Sequence, residues 1–383
     1  MTQDFIPTRA AGLERLHAFL PDAGASYAQR RNFDRPDGVS QLSPWLRHRL
    51  VSEPEVLRAV LDVHGSDSAE KFIQEVVWRS YFKGWLELRP EIWDDYRTGV
   101  DAARNRLATE SGLRKGWEQA CAGATGIDCF DHWAGQLTDT GWLHNHARMW
   151  FASIWIFTLR LPWQLGADFF LRQLLDGDPA SNTCSWRWVA GLHTRGKHYV
   201  ARADNIRRFS GGQFDPKGEL NEDPAPLDGP PLPEPRDLPP PQKVDPDLRS
   251  GLLLTEEDLT PDLPDMAFAA SATLSGAAGR SPLKVAPHVL DFTDRALADT
   301  ETRLDLDAER LDDAESLTRW AQRHELQQIV VPYVPTGPAR DLLRATDLPI
   351  RFVHHAYNQA AWPHATAGFF KLKKRIPDLL DLV

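Results

Sequence analysis

Leu174-Leu175-Asp176-Gly177-Asp178-Pro179-Ala180-Ser181-Asn182 leads, after a short gap, into Trp186-Arg187-Trp188. An Asp-Gly-Asp-Pro run ends a helix and turns the chain sharply, which leaves two carboxylates and free backbone N–H groups at one place. A buried arginine needs an anion of this kind, and Arg148 lies upstream to use one. Taken by itself the tripeptide also fits an exposed turn. Trp186, Trp188 and the upstream Trp163 fit plain core packing as well as a row of oxidisable rings beside a redox cofactor.

Outward from this stretch the pattern is helical. Apolar residues recur near every 3.6 positions over 54–63, 68–89, 129–138, 142–160 and 163–175. No alternating strand pattern interrupts them. In the 68–89 helix Glu75, Trp78 and Arg79 stand at i, i+3 and i+4 and share a face. A carboxylate, an indole and a guanidinium so placed suit a polar aromatic ligand, and equally a core Trp beside a surface ion pair. Asn145, Arg148 and Met149 repeat the spacing in the 142–160 helix.

The chain has 383 residues and a net charge of −10, with ordinary hydrophobic and charged fractions. It is therefore neither collagen-like nor wholly disordered. The apolar run Met149–Leu159 is too short to span a bilayer. The first residues carry Asp4 and no apolar core, so no signal peptide is expected. Three cysteines give neither a disulfide framework nor a metal-ligand pattern, and His193 and His198 lack partners at ligand spacing. The expectation is a cytoplasmic protein with no metal and no iron–sulfur cluster. Charge is uneven. Residues 27–210 carry 24 Lys and Arg against 22 acids, whereas 211–264 carry 4 against 13. Arg187–Arg208 holds six basic residues and one acid, so the chain's overall acidity does not argue against a nucleic-acid partner.

Ten of the 23 residues from Pro224 to Pro246 are proline, a composition that favours exposed, extended polyproline II. The expected organisation is a helical domain over 1–215, a Pro-rich acidic linker over 216–279 and a small α/β module over 280–383. In the module, helix 317–325, strand 329–331, helix 338–345 and strand 350–353 alternate, with 284–292 as a further strand candidate.

Five motifs together resemble the FAD-binding helical domain of the photolyase/cryptochrome family: Tyr27–Phe33 (YAQRRNF), Gly38–Pro44 (GVSQLSP), Phe72–Arg79 (FIQEVVWR), Thr140–Met149 (TGWLHNHARM), and Leu174–Asn182 running into Trp186-Arg187-Trp188. They follow the family's order over nearly half the chain. The resemblance implies a mainly α fold, FAD as cofactor, and light-driven repair of UV pyrimidine lesions in DNA by a lyase reaction. Under it, Tyr27 and the loop Ser40, Gln41, Leu42, Ser43 match the segment that grips the FAD phosphates. Phe72 and Arg79 line the cofactor site. Arg148 and Asp176 match an ion pair beside the isoalloxazine, Asp178 a flavin or ribose contact, and Asn182 the side chain near flavin N5. Trp186 and Trp163 match the first two members of an electron-transfer chain, and Trp188 a partner near the pocket. Glu75, Trp78, Asn145 and Met149 fall where repair enzymes contact a flipped pyrimidine dimer, with Arg31 and His146 beside the same cavity. Excited reduced flavin would donate an electron, the cyclobutane ring would split, and the electron would return.

The sequence also departs from that pattern. His146 stands where repair enzymes commonly carry Arg, and the stretch after Trp188 lacks the usual TGTD…PYFRIFNP pattern. The third Trp of the electron chain would fall near Leu107, where there is none. The family's α/β antenna domain does not precede the motifs. His354–Tyr357, Trp362-Pro363 and Phe369–Lys371 resemble the end of that domain, which would put the two domains in swapped order. These departures keep open a second reading, a cryptochrome-like blue-light photoreceptor without repair, and a third, a flavin protein that binds nucleic acid without light chemistry.

Overall fold

The computed structural model describes residues 5–383. Twelve α-helices precede the first strand: α1 (Arg9–Phe19), α2 (Ala25–Arg30), α3 (Ser43–Arg47), α4 (Glu53–Ser68), α5 (Glu70–Glu87), α6 (Glu91–Thr109), α7 (Ser111–Ala122), α8 (Asp128–Thr140), α9 (Asn145–Ser153), α10 (Trp163–Gln173), α11 (Pro179–Ala190) and α12 (Ala203–Phe209). Local sequence sets several boundaries. At α4, Ser52 and Glu55 form a reciprocal capping box and Pro54 occupies the first turn. At α11, the Asp178 carboxylate accepts from Ser181 N–H at 2.8 Å, and the helix ends at Gly191, whose φ of 83° is strained for any residue with a Cβ. The expected 142–160 helix starts only at Asn145 and finishes as a π-helical turn, Ile154–Thr158. Helices α6 and α7 were not among the sequence expectations.

Aromatic packing accounts for the tryptophan-rich composition. Trp133, Trp150, Trp155, Trp186, Phe130, Phe151 and Phe169 are among the largest fully buried side chains. Phe130 stacks on Phe151 at 4.2 Å and Trp133 on Trp150 at 5.3 Å between ring centroids. Each ring removes roughly 150–250 Å² of surface from water, so a few of them dominate the core energetics.

The second unit is a five-stranded, all-parallel sheet: β1 (Ser250–Thr255), β2 (Ala270–Leu274), β3 (Ala308–Leu311), β4 (Gln328–Pro332) and β5 (Ile350–Val353), in the order β3-β2-β1-β4-β5. Helices α13 (Pro287–Arg303), α14 (Ala314–Arg323) and α15 (Pro338–Arg344) connect strands, and α16 (Ala356–Ala361), α17 (Phe369–Lys373) and α18 (Ile376–Leu380) follow the sheet. Leu252, Leu253 and Leu254 of β1 and Ile329, Val330 and Val331 of β4 are fully buried, as central strands covered on both faces require.

Two expectations are corrected here. Strands β1 and β2 lie inside the segment read as linker, 216–279, so the sheet begins at Ser250 and not after 280. The Leu252–Leu254 run is short and flanked by charged residues, and β2 is Ala-Ser-Ala-Thr-Leu, too small-residue-rich to stand out. Residues 284–292 form no strand; they lead into α13, with Pro287 at its first position. The proline tract is also less free than its composition implies. Arg236 N–H donates to Leu88 O at 2.7 Å, Leu227 N–H to Ala190 O at 3.0 Å, and Arg89 Nε to Pro233 O at 3.1 Å, so the tract is laid along the helices.

One hydrophobic cluster runs through both units, joining Leu50, Val76 and Trp85 to Leu259, Leu297, Tyr333, Trp362 and Phe369. The two units approach closely at Gly84, where a Cβ would sit 2.9 Å from Trp362 Cα. The strand order reverses between β1 and β4, and loops beyond the carboxyl ends of parallel strands at such a point are where ligands gather in open α/β sheets. Here those loops are buried against α3 and α5, where Glu257 meets Arg47 and Lys83 and Tyr333 donates to Glu87. Among the described residues no helix is long and apolar enough to cross a membrane.

Candidate functional site

The turn Asp176-Gly177-Asp178 is not exposed. Asp176 and Asp178 are 7% and 2% accessible. Arg148, on α9, donates from Nη2 to Asp176 Oδ2 at 2.8 Å and from Nε to Leu143 O at 2.9 Å. Asp178 Oδ2 lies 3.2 Å from Lys83 Nζ, 3.7 Å from Arg79 and 3.9 Å from Arg47. Burial alone would push the Asp178 carboxyl up, but Lys83, Arg79 and Arg47 outweigh it and hold it well below the usual carboxylate range.

Asp178 belongs to a wider buried network. Arg47 donates both Nη groups to Glu257, at 2.8 and 2.7 Å, and Nε to Gly177 O at 2.9 Å. Lys83 also reaches Glu257 at 3.4 Å. Arg49 bridges Glu53 and Asp258 at 3.0 and 3.1 Å, and Arg79 reaches Glu53 at 3.1 Å. Four cations thus meet four acids, and Glu257 and Asp258 come from the loop after β1. Burial pushes Glu53 up, while Arg49 and Arg79 bring it down to about 2 from an ordinary 4.5. A carboxyl depressed on folding contributes stability above its unfolded value and loses it as pH falls toward the folded value. The urea midpoint is therefore expected to stay level down to about pH 5 and to fall steeply between 4.5 and about 2. Glu53→Gln should flatten that acid limb relative to the parent, which a pH series of unfolding curves reads directly.

The remaining expected residues form three further groups. Tyr27 and Phe72 meet edge to face at 5.1 Å, Arg31 lies over the Tyr27 ring at 5.6 Å, and Arg31 pairs with Glu75 at 2.7 Å. In the loop ahead of α3, Ser40 Oγ accepts from Leu42 N–H, Leu42 is fully buried, and Ser43 opens the helix. Gln41 takes a φ of 57°, donates Nε2 to Pro36 O at 3.0 Å, and leaves its buried Oε1 without a partner. On α9, Asn145 is exposed and Met149 half-buried, while His146 stacks on Trp150 at 4.6 Å and bonds Asn32 O at 2.7 Å. Asn182 donates Nδ2 to Ala167 O at 2.8 Å.

Helical spacing on α5 did not deliver a shared ligand face. Glu75 turns to Arg31, Arg79 to Glu53 and Asp178, and the Trp78 indole lies flat against Phe369 at 3.9 Å with 9° between the planes. Trp186 and Trp163 are both buried, but in different surroundings. Trp186 packs edge-on to Phe170 and Trp155, whereas Trp163 lies beside Tyr96 and under Arg187. Trp188 stacks on Tyr199 at 5.7 Å. Sequence reasoning missed Arg47, Arg49, Glu53, Lys83, Glu257, Asp258 and Phe369. Arg47-His48-Arg49 directly after the Gly38–Pro44 motif, and Lys83 one turn beyond Arg79, were the available signals.

A family model for the FAD binding domain of DNA photolyase matches residues 72–222. That span contains Arg79, Lys83, Arg148, Asp176, Asp178 and Asn182.

Residues 72–222 are similar to the FAD-binding domain of DNA photolyase.

Deoxyribodipyrimidine photo-lyases are similar to about half of this chain. That of Streptomyces griseus is 32% identical over 232 residues, covering 57% of this chain and 49% of the relative. That of a Synechococcus is 35% identical over 215 residues, covering 53% and 43%. A class III photolyase crystal structure from Agrobacterium tumefaciens matches 53% of this chain and 43% of its own, at 29% identity and a TM-score of 0.46. The chain spans about half the length of the curated relatives it matches.

The residues present fit FAD in kind. The buried, unpartnered acceptors Asp176 Oδ1 and Gln41 Oε1 suit ligand N–H groups. The buried Arg280 has Nε and Nη2 without partners, a guanidinium of the type that binds a diphosphate.

Proposed function

We propose that this chain is an FAD-dependent, blue-light-driven photolyase-like lyase that repairs UV pyrimidine lesions in DNA. The observation that carries it is the buried Asp176-Gly177-Asp178 turn heading α11, with Arg148 paired to Asp176 and Asn182 in the helix that follows, inside an FAD-binding match. When bound and reduced, FAD would supply on illumination one electron for splitting the two C–C bonds that join the pyrimidines, and would take it back with no net oxidation.

The protein's residues bind and orient. Arg148 pairs with Asp176 at the rim of the cofactor site, and Asp178 both caps α11 and pairs with Lys83. Asn182 Oδ1 remains available for a hydrogen bond near flavin N5. Glu75, paired with Arg31, and Asn145 offer an acceptor and a donor to pyrimidine edges, with Met149 as an apolar wall. A dimer stacks poorly in duplex DNA, which lowers the cost of flipping it out. A cytoplasmic setting belongs to the same proposal.

One observation favours a second reading, a cryptochrome-like photoreceptor: Phe369 covers Trp78, the ring assigned to the lesion. The test is loss of dimers from a thymine-dimer oligonucleotide mixed with reduced, FAD-loaded protein. Loss under blue light and none in the dark is expected. Equal loss in both, or none in either, sinks the repair reading.

A further inference from the structure

The outer side of α5 is covered along its length by the chain's C-terminal end. Lys373 Nζ pairs with Glu70 at 3.2 Å, Tyr81 Oη donates to Ala367 O at 2.9 Å, and Arg89 Nη2 donates to Thr366 O at 2.7 Å. Between these ties Phe369, 4% accessible, lies on the Trp78 indole. Its geometry differs from that of its neighbours. Tyr81 meets Trp78 and Phe369 edge-on, at 88° and 82°, the arrangement aromatic side chains commonly take in a core. Trp78 and Phe369 are parallel within 9°, as a base and an aromatic platform are. Centroids 3.9 Å apart leave no gap for a third ring.

The covering segment is a five-residue helix in which Phe369 and Leu372 are buried and Phe370 is 74% exposed, and it follows Gly368, where an added Cβ would meet open space. The two ties to Ala367 and Thr366 use their backbone carbonyls, which water satisfies on release.

We propose that residues 366–373 are a built-in cap in which Phe369 stands in for a stacked nucleobase, so that a flipped pyrimidine reaches Trp78 only when the cap swings away. This rests on the repair reading, because it takes Trp78 as the platform for the lesion. Nucleic-acid binding and cap closure then compete for one ring face.

The test measures anisotropy of a fluorescein-labelled single strand carrying one thymine dimer, with the full-length protein, its Phe369→Ala form and its Lys373→Glu form. Phe369→Ala removes the competing ring and is expected to tighten dimer binding about 10-fold. Lys373→Glu, at an exposed pair, sets like charges on the cap and on Glu70; it should act in the same direction, by about 2-fold. The gain from Phe369→Ala should vanish when Trp78→Ala is added. Dimer-selective binding by the parent that neither variant tightens overturns the cap and leaves the repair reading standing. No dimer-selective binding by any form overturns both. If Phe369→Ala fails to fold, the Lys373→Glu result decides.

Discussion

Asp178→Ala is expected to destabilise the protein by about 3–5 kcal/mol and to abolish retention of FAD. Removing one partner of a buried ion pair leaves the others uncompensated in a poorly solvated interior. Here the loss falls on Lys83, Arg79 and Arg47 together, each within 4 Å of the same carboxylate oxygen. The substitution also removes the cap on α11, worth a further ~1 kcal/mol. Against a total stability of about 5–15 kcal/mol, that is a large fraction. The urea midpoint and the flavin content of the purified variant measure both effects. A midpoint equal to the parent's would show that Glu257 and Glu53, which these cations also meet, suffice to compensate them.

Arg47→Ala should rank beside it, for a different reason. Arg47 ties α3 to the Gly177 carbonyl and, through two Nη bonds, to Glu257 of the second unit. Its loss unpairs Glu257 on one side and Asp178 on another, an expected cost of about 3–5 kcal/mol. Glu257 still has Lys83, so the loss is not complete. Because this contact joins the two units, limited proteolysis within 211–249 should become faster in the variant. The pair Arg47→Met with Glu257→Leu, which removes both charges while keeping volume, should recover much of the midpoint. A double variant no better than Arg47→Ala would mean that the charges themselves, not their pairing, hold the units together.

These expectations separate what local sequence could reveal from what it could not. The helix faces over 129–138 and 163–175 were legible because a 3.6-residue apolar period reports burial directly, and α8 and α10 bury those faces. The Arg148–Asp176 pair was suggested by the residues and by the resemblance, although the turn taken alone also fits an exposed one. Strand β1 was lost in a run of prolines and acids, since Leu252–Leu254 gives three apolar residues and no alternation. Glu257 was invisible as a site residue because its partner Arg47 lies 210 positions away. The same holds for Phe369: spacing on α5 predicts which residues share a face, but not that a segment nearly 300 residues later will occupy it.

The most direct measurement of the central claim is a titration of the purified protein with FAD, followed by flavin absorbance and fluorescence, beside the Arg148→Ala and Asp178→Ala forms. The account predicts a coloured, saturable one-to-one complex for the parent and weakened or absent binding for both variants. A parent that takes up no FAD, or folded variants that hold it as tightly as the parent does, would contradict it.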